Sequence, residues 1–207
     1  MTPPEKPDAY HHGNLSAALI GTALALIMEK GPEALTIREV AARAGVSHAA
    51  PYRHFTDKGA LMAELAKQGF DLMVAQMRQR MAAYPDDPLM QLKYCGIGYI
   101  EFALAHPAHY KVMFGPWLDQ KHASEALKIS STTSFQTRLD VITACQAKAV
   151  MHAGDPMAMA LAAWSMVHGF SMLRIDGLVQ ESAFRQALPA MMDGVVDSLY
   201  FGFRPKP

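Results

Sequence analysis

Apolar residues recur three and four positions apart along most of this chain, and strand-like alternation is scarce. Leu15, Leu19, Ile20, Ala23, Leu24 and Ile27 form a wide apolar face over about Asn14 to Lys30, and Gly31-Pro32 ends it. A longer helix over about Asp57 to Ala83 carries Leu61, Leu65, Leu72, Met73 and Met77 on one stripe. Its Lys67, Gln68, Arg78 and Arg80 stay polar, and Pro85 stops it. Beyond it the spacing predicts helices at about Pro88–Ala105, Pro107–Phe114, Gln120–His152, Pro156–Val179 and Glu181–Phe203. Asp87-Pro88 and Asp155-Pro156 read as a capping carboxylate followed by proline at the first helical position. The pattern as a whole is that of an all-α protein.

Between the first two long helices lies the most specific stretch, Thr36–Lys58. Thr36 suits an N-cap, and Glu39 three residues on completes a capping box. Ile37, Val40, Ala41 and Ala44 give a short helix one apolar face, and Gly45 supplies the positive φ that stops it. Val46 plugs the turn and Ser47 caps a new helix, predicted over about His48 to Phe55. Helix, tight turn and helix in this order are a helix-turn-helix unit. So short a helix is not stable alone, so Phe55 and Val46 are expected to pack back onto the first two. Its other face carries His48, Ala49, Tyr52, Arg53 and His54, small and polar-aromatic residues suited to close approach to a duplex. Pro51 falls near the first turn, where a missing N–H costs least, and can tighten or bend the helix. Asp57 or Thr56 then caps the next helix, with Lys58 in its first turn as a candidate phosphate clamp. The competing reading is a small packed three-helix cluster without a nucleic-acid role.

Composition narrows the classes. With 207 residues the chain has room for one large or two small domains, and 19 basic against 19 acidic residues rule out a polycation that coats nucleic acid. Within Thr36–Lys58 the cations Arg38, Arg43, Arg53 and Lys58 outnumber Glu39 and Asp57, a modest excess that fits a site-selective binder. Cys95 and Cys145 stand far apart in apolar helical patterns and read as core thiols. Residues 1–9 read as a flexible arm without an apolar signal region, and no uninterrupted apolar run of bilayer length is apparent. These features predict a cytoplasmic protein. No nucleophile–base pairing, phosphate-binding glycine loop or metal motif stands out, so neither a metal nor a cofactor is expected. A helical small-molecule enzyme is the disfavoured class.

The strings TIREVAARAGVS and YRHFTDK resemble the DNA-binding domain of the tetracycline-repressor family of bacterial regulators, over about Tyr10 to Phe70. WSMVHGF at Trp164–Phe170 resembles the Trp-…-His-Gly signature of one branch, as do YHHGN at Tyr10–Asn14 and APYRHF. The resemblance implies a flexible arm at 1–9, a helix-turn-helix DNA-binding domain at 10–58, and a helical effector-binding and dimerisation domain at 59–207. It implies DNA contacts from Arg38, from the caps Thr36 and Ser47, from the groove-facing His48 and Ala49, and from the backbone clamp Tyr52, His54 and Lys58. Arg53 lies on the same face. Pro51 departs from the leucine usual in relatives.

Tyr94, Phe102, Met113, Phe114, Trp117, Trp164 and His168 are the candidate effector-pocket residues. Fifteen methionines add adaptable surface, although such a stripe also suits an ordinary core. Trp164 and His168, four apart, share a helix face. Three roles stand open for His168: a hydrogen-bonded core residue, an effector contact, or a metal ligand. Leu188, Met192, Val195 and Leu199 are the candidate dimer contacts. The expected function is a ligand-responsive regulator, most readily a repressor. It would bind double-stranded operator DNA as a homodimer, sense a small-molecule effector and involve no membrane. The alternative is a ligand-independent DNA-binding dimer.

Overall fold

The structure is a computed structural model that describes residues 12–117 and 121–202. The arm expected at 1–9, together with Tyr10 and His11 of the YHHGN string, lies outside the described residues. Within them the chain forms α1 (His12–Lys30), α2 (Ile37–Arg43), a 3-10 turn (Pro51–Arg53) and α3 (Lys58–Met81). The series continues with α4 (Pro88–Ala105), α5 (Pro107–Met113), α6 (Glu125–Ala147), α7 (Pro156–Ile175), α8 (Glu181–Phe184) and α9 (Leu188–Gly202). No strand occurs among the described residues, so the all-α expectation holds.

Most helix starts follow the capping chemistry written in the sequence. The Asp57 carboxylate accepts from Ala60 N–H at 3.0 Å. Asp87 accepts from Leu89 and Met90, and Asp155 accepts from Met157 at 2.9 Å, each just ahead of a proline at the helix start. Thr36 accepts from Glu39 N–H at 3.3 Å, but the Glu39 carboxylate pairs with Lys30, so only half of the expected capping box forms. Gly45 takes φ +68°, and Val46 N–H returns to the Ala41 carbonyl at 3.0 Å, closing α2.

Three expectations need correction. The helix expected at Glu181–Phe203 is two helices. Arg185 turns left-handed at φ 51°, and Pro189 lacks the N–H a continuous helix would need there, so α8 ends and α9 begins at Leu188. Leu72 leaves the buried stripe of α3 and is exposed. Finally, α7 is 20 residues long with a mean hydropathy of 1.2, which is enough by length and composition to cross a bilayer. Here it packs against α4, α6 and α9, with Met159, Ala160, Ala163 and Val167 buried.

The two ends of the molecule share one core. Leu19, Leu26, Leu35, Val40 and Phe55 close the head against the first turns of α3, while Met73 and Met77 carry the same helix into the core of the second domain. Ion pairs brace the joints: Arg43 with Glu29 between α2 and α1, Arg80 with Glu101 between α3 and α4, and Lys93 with Asp193 and Asp197 between α4 and α9. A further bridge comes from the segment after the undescribed residues 118–120, where His122 reaches Asp57 at 2.8 Å.

Gly45 and Gly21 give a paired test of the backbone. Nothing lies within 4 Å of a Cβ built at either residue, but only Gly45 has positive φ. Gly45→Ala is expected to lose about 1–2 kcal/mol. Gly21→Ala, on the exposed face of α1, is expected to gain about 0.5–1 kcal/mol. Denaturant unfolding measures both, and equal signs would mean that the left-handed turn is not held as described.

Candidate DNA-binding face and effector cleft

The segment after Gly45 is bonded mostly three residues back, with one α-type bond from Phe55 N–H to the Pro51 carbonyl at 2.9 Å. Ala50 N–H donates to the Ser47 carbonyl, Arg53 N–H to Ala50 and His54 N–H to Pro51, each three residues back. Ala50 itself has φ −62° and ψ −43°. The α-helix expected at His48–Phe55 is therefore a run of turns with one 3-10 helix at its centre. Pro51 accounts for this: its ring would clash with the carbonyl four residues back, and it has no N–H to offer that carbonyl. Ser47 contributes its carbonyl, and the 3-10 helix has no side-chain cap.

Burial divides this segment in two. Pro51 and Phe55 are buried against the head, with Val46 packed beside them. His48, Ala49, Arg53 and Tyr52 are exposed, the last at 51 %, and His54 is half-buried. An exposed tyrosine ring next to an arginine forms a surface able to meet phosphate and base edges. Thr36, Arg38 and Ser47 are exposed as well. Lys58 is placed differently from the rest. Its ammonium donates to the Glu33 carbonyl at 2.8 Å, tying the start of α3 to the α1–α2 loop, and burial lowers its pKa. Arg43 is held by Glu29. Among the described residues the free cations of this face are thus Arg38 and Arg53 rather than all four.

Behind the head lies a cleft of about 400 Å³. The α1–α2 loop, Gly31 to Glu33, forms one wall, and Tyr110, Phe114, Trp117 and His168 form much of the other. Of the seven expected pocket residues, Phe114, Trp117 and His168 line it. Trp164 stands one layer behind, 5.7 Å from the His168 ring. Phe102 and Met113 are core residues: Phe102 packs on His106, and Met113 fills the space beside Gly69. Tyr94 stacks on Tyr84 at 4.6 Å instead of joining the cluster.

Tyr99 and Tyr110, absent from the sequence expectations, organise this wall. Trp164 Nε1 donates to Tyr99 Oη at 3.0 Å, the two tyrosine hydroxyls meet at 3.0 Å, and Tyr110 Oη meets His168 Nδ1 at 2.7 Å. Tyr99 Oη also meets Nδ1 at 3.0 Å, and a chain from Trp164 through the two tyrosines to His168, with Nδ1 accepting, pairs the indole and both hydroxyls. That requires a neutral imidazole. Burial, and then the charge of Arg138, hold the His168 pKa below its usual value, in agreement with this order. His168 is thus a hydrogen-bonded residue on a cleft wall. No group of three metal-ligating side chains occurs among the described residues.

Arg138 is the second omission. It is 5 % exposed on α6, with its guanidinium 5.4 to 5.8 Å from the rings of Tyr99, Phe135 and Trp164. Helical spacing could have flagged it, because Ser134, Arg138, Val141 and Cys145 share the buried stripe of α6.

The expected dimer residues also divide. Met192 and Leu199 are buried in the domain's own core, whereas Leu188 and Val195 are half-buried. Met166, Leu173 and Phe184 add exposed apolar surface on α7 and α8.

A helix-turn-helix head with a bare polar-aromatic face, set on a helical domain with a cleft behind it, is the build of a DNA-binding transcription regulator. Residues 92–198 match the family model described as the tetracyclin repressor-like C-terminal domain, and residues 19–65 match that of the bacterial regulatory proteins of the tetR family. The chain belongs to the tetR family of transcriptional regulators, whose members bind DNA and are not enzymes. A stretch of 83 residues is 29 % identical to the HTH-type transcriptional repressor KstR2 of Rhodococcus jostii, and covers 40 % of this chain and 41 % of that protein. A protein of unknown function from Rhodococcus sp. RHA1 superposes with TM-score 0.78 at 29 % identity, over 97 % of this chain and all of that one. The ketosteroid transcriptional regulator KstR2 of Mycobacterium tuberculosis shares the fold, with TM-score 0.67 at 18 % identity over 93 % of this chain and 96 % of that one.

Two expectations follow for the ring wall. Tyr110→Phe removes a hydroxyl that meets both Tyr99 and His168, which also meet each other at 3.0 Å, and is expected to cost about 0.5–1.5 kcal/mol in denaturant unfolding. No loss would mean that the network does not form. Acid should also destabilise the fold through two histidines. Burial first, and a neighbouring positive charge second, lower the pKa of both His109 and His168. Between these lowered values and about 6.5 the unfolded chain therefore binds more protons than the folded one. Stability is complete above about pH 6.5 and falls as pH drops below it. The double variant His109→Gln/His168→Gln should flatten that slope, and an unchanged slope would assign it elsewhere.

Proposed function

We propose that this protein is a homodimeric repressor of the Trp-…-His-Gly branch, which binds a palindromic operator and leaves it when a small molecule occupies the second domain. The cleft between the head and the ring wall carries this reading. Its 400 Å³ falls within the range of small-molecule sites, about 300–1,000 Å³. A ligand there would touch the α1–α2 loop and the ring wall at once. Such a ligand shifts the head only if it binds one head position more tightly than the other, and a cleft walled by both bodies provides that difference.

In this reading residues 10–58 are the DNA-binding head, residues 59–207 the effector and dimerisation domain, and residues 1–9 a flexible arm. Thr36, Arg38, Ser47, His48, Ala49, Tyr52, Arg53 and His54 form the DNA face. Lys58 braces the Glu33 carbonyl and keeps two further N–H donors for phosphate. The outer faces of α7 and α9 pair with a second copy through Met166, Phe170, Leu173, Leu188 and Val195. One short reading segment spans few base pairs, and a dimer places two of them about 34 Å apart on successive turns of the groove. A cytoplasmic setting suits the two free, buried cysteines. The R. jostii relative is named a repressor, which supports that sign of regulation.

Selection from random DNA should return a palindrome. Tyr52→Ala/Arg53→Ala should weaken binding to it by about tenfold or more at moderate salt, because each such contact is worth about 1–3 kcal/mol. Unchanged affinity would remove this face from the DNA interface. Val195→Glu should convert a dimer to a monomer in light scattering, and a wild-type monomer at micromolar concentration would overturn the dimer.

A further inference from the structure

Arg138 is a buried charge with no opposite charge beside it among the described residues. The groups that act on it electrostatically are Cys95, Tyr99 and Tyr110. Burial raises the pKa of all three, so none is an anion near neutral pH. The guanidinium itself stays protonated. Three ring faces attract it, but a ring face accepts nothing along the planar N–H edge of the group. Nε has no partner, and Nη1 reaches only the Met77 sulfur at 3.8 Å.

The surroundings indicate what would complete it. Arg138 lines an internal cavity of about 20 Å³ whose other walls include Leu92, Ala163, Val167 and Val196. That space holds about one water. Through Trp164 and Tyr99 the same side chain backs onto Tyr110, Phe114 and His168, the inner wall of the 400 Å³ cleft. A fork of donors left unfilled behind a wall of rings matches a planar carboxylate on an apolar body, since guanidinium and carboxylate pair through two parallel hydrogen bonds.

We propose that the effector is an apolar monocarboxylate whose carboxylate pairs with Arg138 while its apolar body takes the place that the Tyr110 and His168 side chains vacate toward the cleft. This inference rests on the reading of the second domain as an effector domain. Entry displaces Tyr110 and His168 from their hydrogen bonds, and the wall that moves is the one facing Gly31–Glu33 of the head. Neutral molecules of the same shape leave the guanidinium edge unfilled and bind more weakly.

The test compares hexanoate, decanoate and phenylacetate with the matching primary alcohols, by titration calorimetry and thermal shift on the full chain. At least one acid is expected to bind the wild type tenfold or more tightly than its alcohol. Arg138→Met should fold, melt no lower than the wild type without ligand, and lose that preference. Arg138→Lys, which keeps the charge but not the fork, should retain part of it. Alcohols that bind as tightly as the acids, acids that bind Arg138→Met as they bind the wild type, or no binding by any acid would overturn the inference. If Arg138→Met fails to fold, the acid-to-alcohol ratio in the wild type still decides. The effector reading is tested separately with a small-molecule cell extract on the protein–DNA complex. Release by the extract without carboxylate binding sinks this proposal alone, whereas tight carboxylate binding that never releases DNA sinks the effector reading.

Discussion

The buried face of α3 is the constraint on which the rest of the structure depends. Leu61, Met62 and Leu65 at its start belong to the core of the head, and Phe70, Met73, Val74 and Met77 further along belong to the second domain. A continuous helix is stiff along its axis, so the two bodies cannot shift relative to one another without repacking one end of α3. Asp57 caps this rod and also holds His122 from the second domain, so the cap is itself a point of interdomain contact. The cleft exists because α1 and its loop lean over α5 on one side of the rod and leave a gap below Gly31–Glu33.

Polar groups buried behind that gap are fully paired at one end and not at the other. From Trp164 through Tyr99 and Tyr110 to His168 each donor finds an acceptor, which makes burial of the hydroxyls tolerable. Arg138, against the same rings, keeps an unpaired Nε. A fold under selection for stability alone would replace such a cation with an apolar residue at little cost. Its place in the core is the strongest sign that this domain does more than pack on itself.

Much of the head was legible in the sequence because its signals are local. A capping threonine, an apolar triplet at helical spacing and a glycine with positive φ each act within a few residues, and all appear where expected. The limits of the reading segment were less legible. Pro51 was seen as a departure, but whether it would end, bend or tighten the helix depended on how Phe55 and Pro51 packed against the head. The segment settled as turns and one 3-10 helix, keeping a single α-type bond from Phe55 to Pro51. Lys58 and Arg43 looked alike in the sequence as cations, yet both became braces because Glu33 and Glu29 came to lie beside them.

The sequence by itself determined the all-helical class, most helix starts with their caps, and the family, because hydrophobic period, turn residues and short motifs are properties of neighbouring residues. Tertiary structure alone decided which apolar residues are core, which line the cleft and which remain outside. Phe102 and Phe114 read alike along the chain, yet one is core and one is wall, since that choice depends on which helix arrives opposite. It alone also brought Tyr99, Tyr110, Arg138 and His168 together from four different helices. Contacts between residues up to 69 positions apart leave no mark on the spacing of either partner.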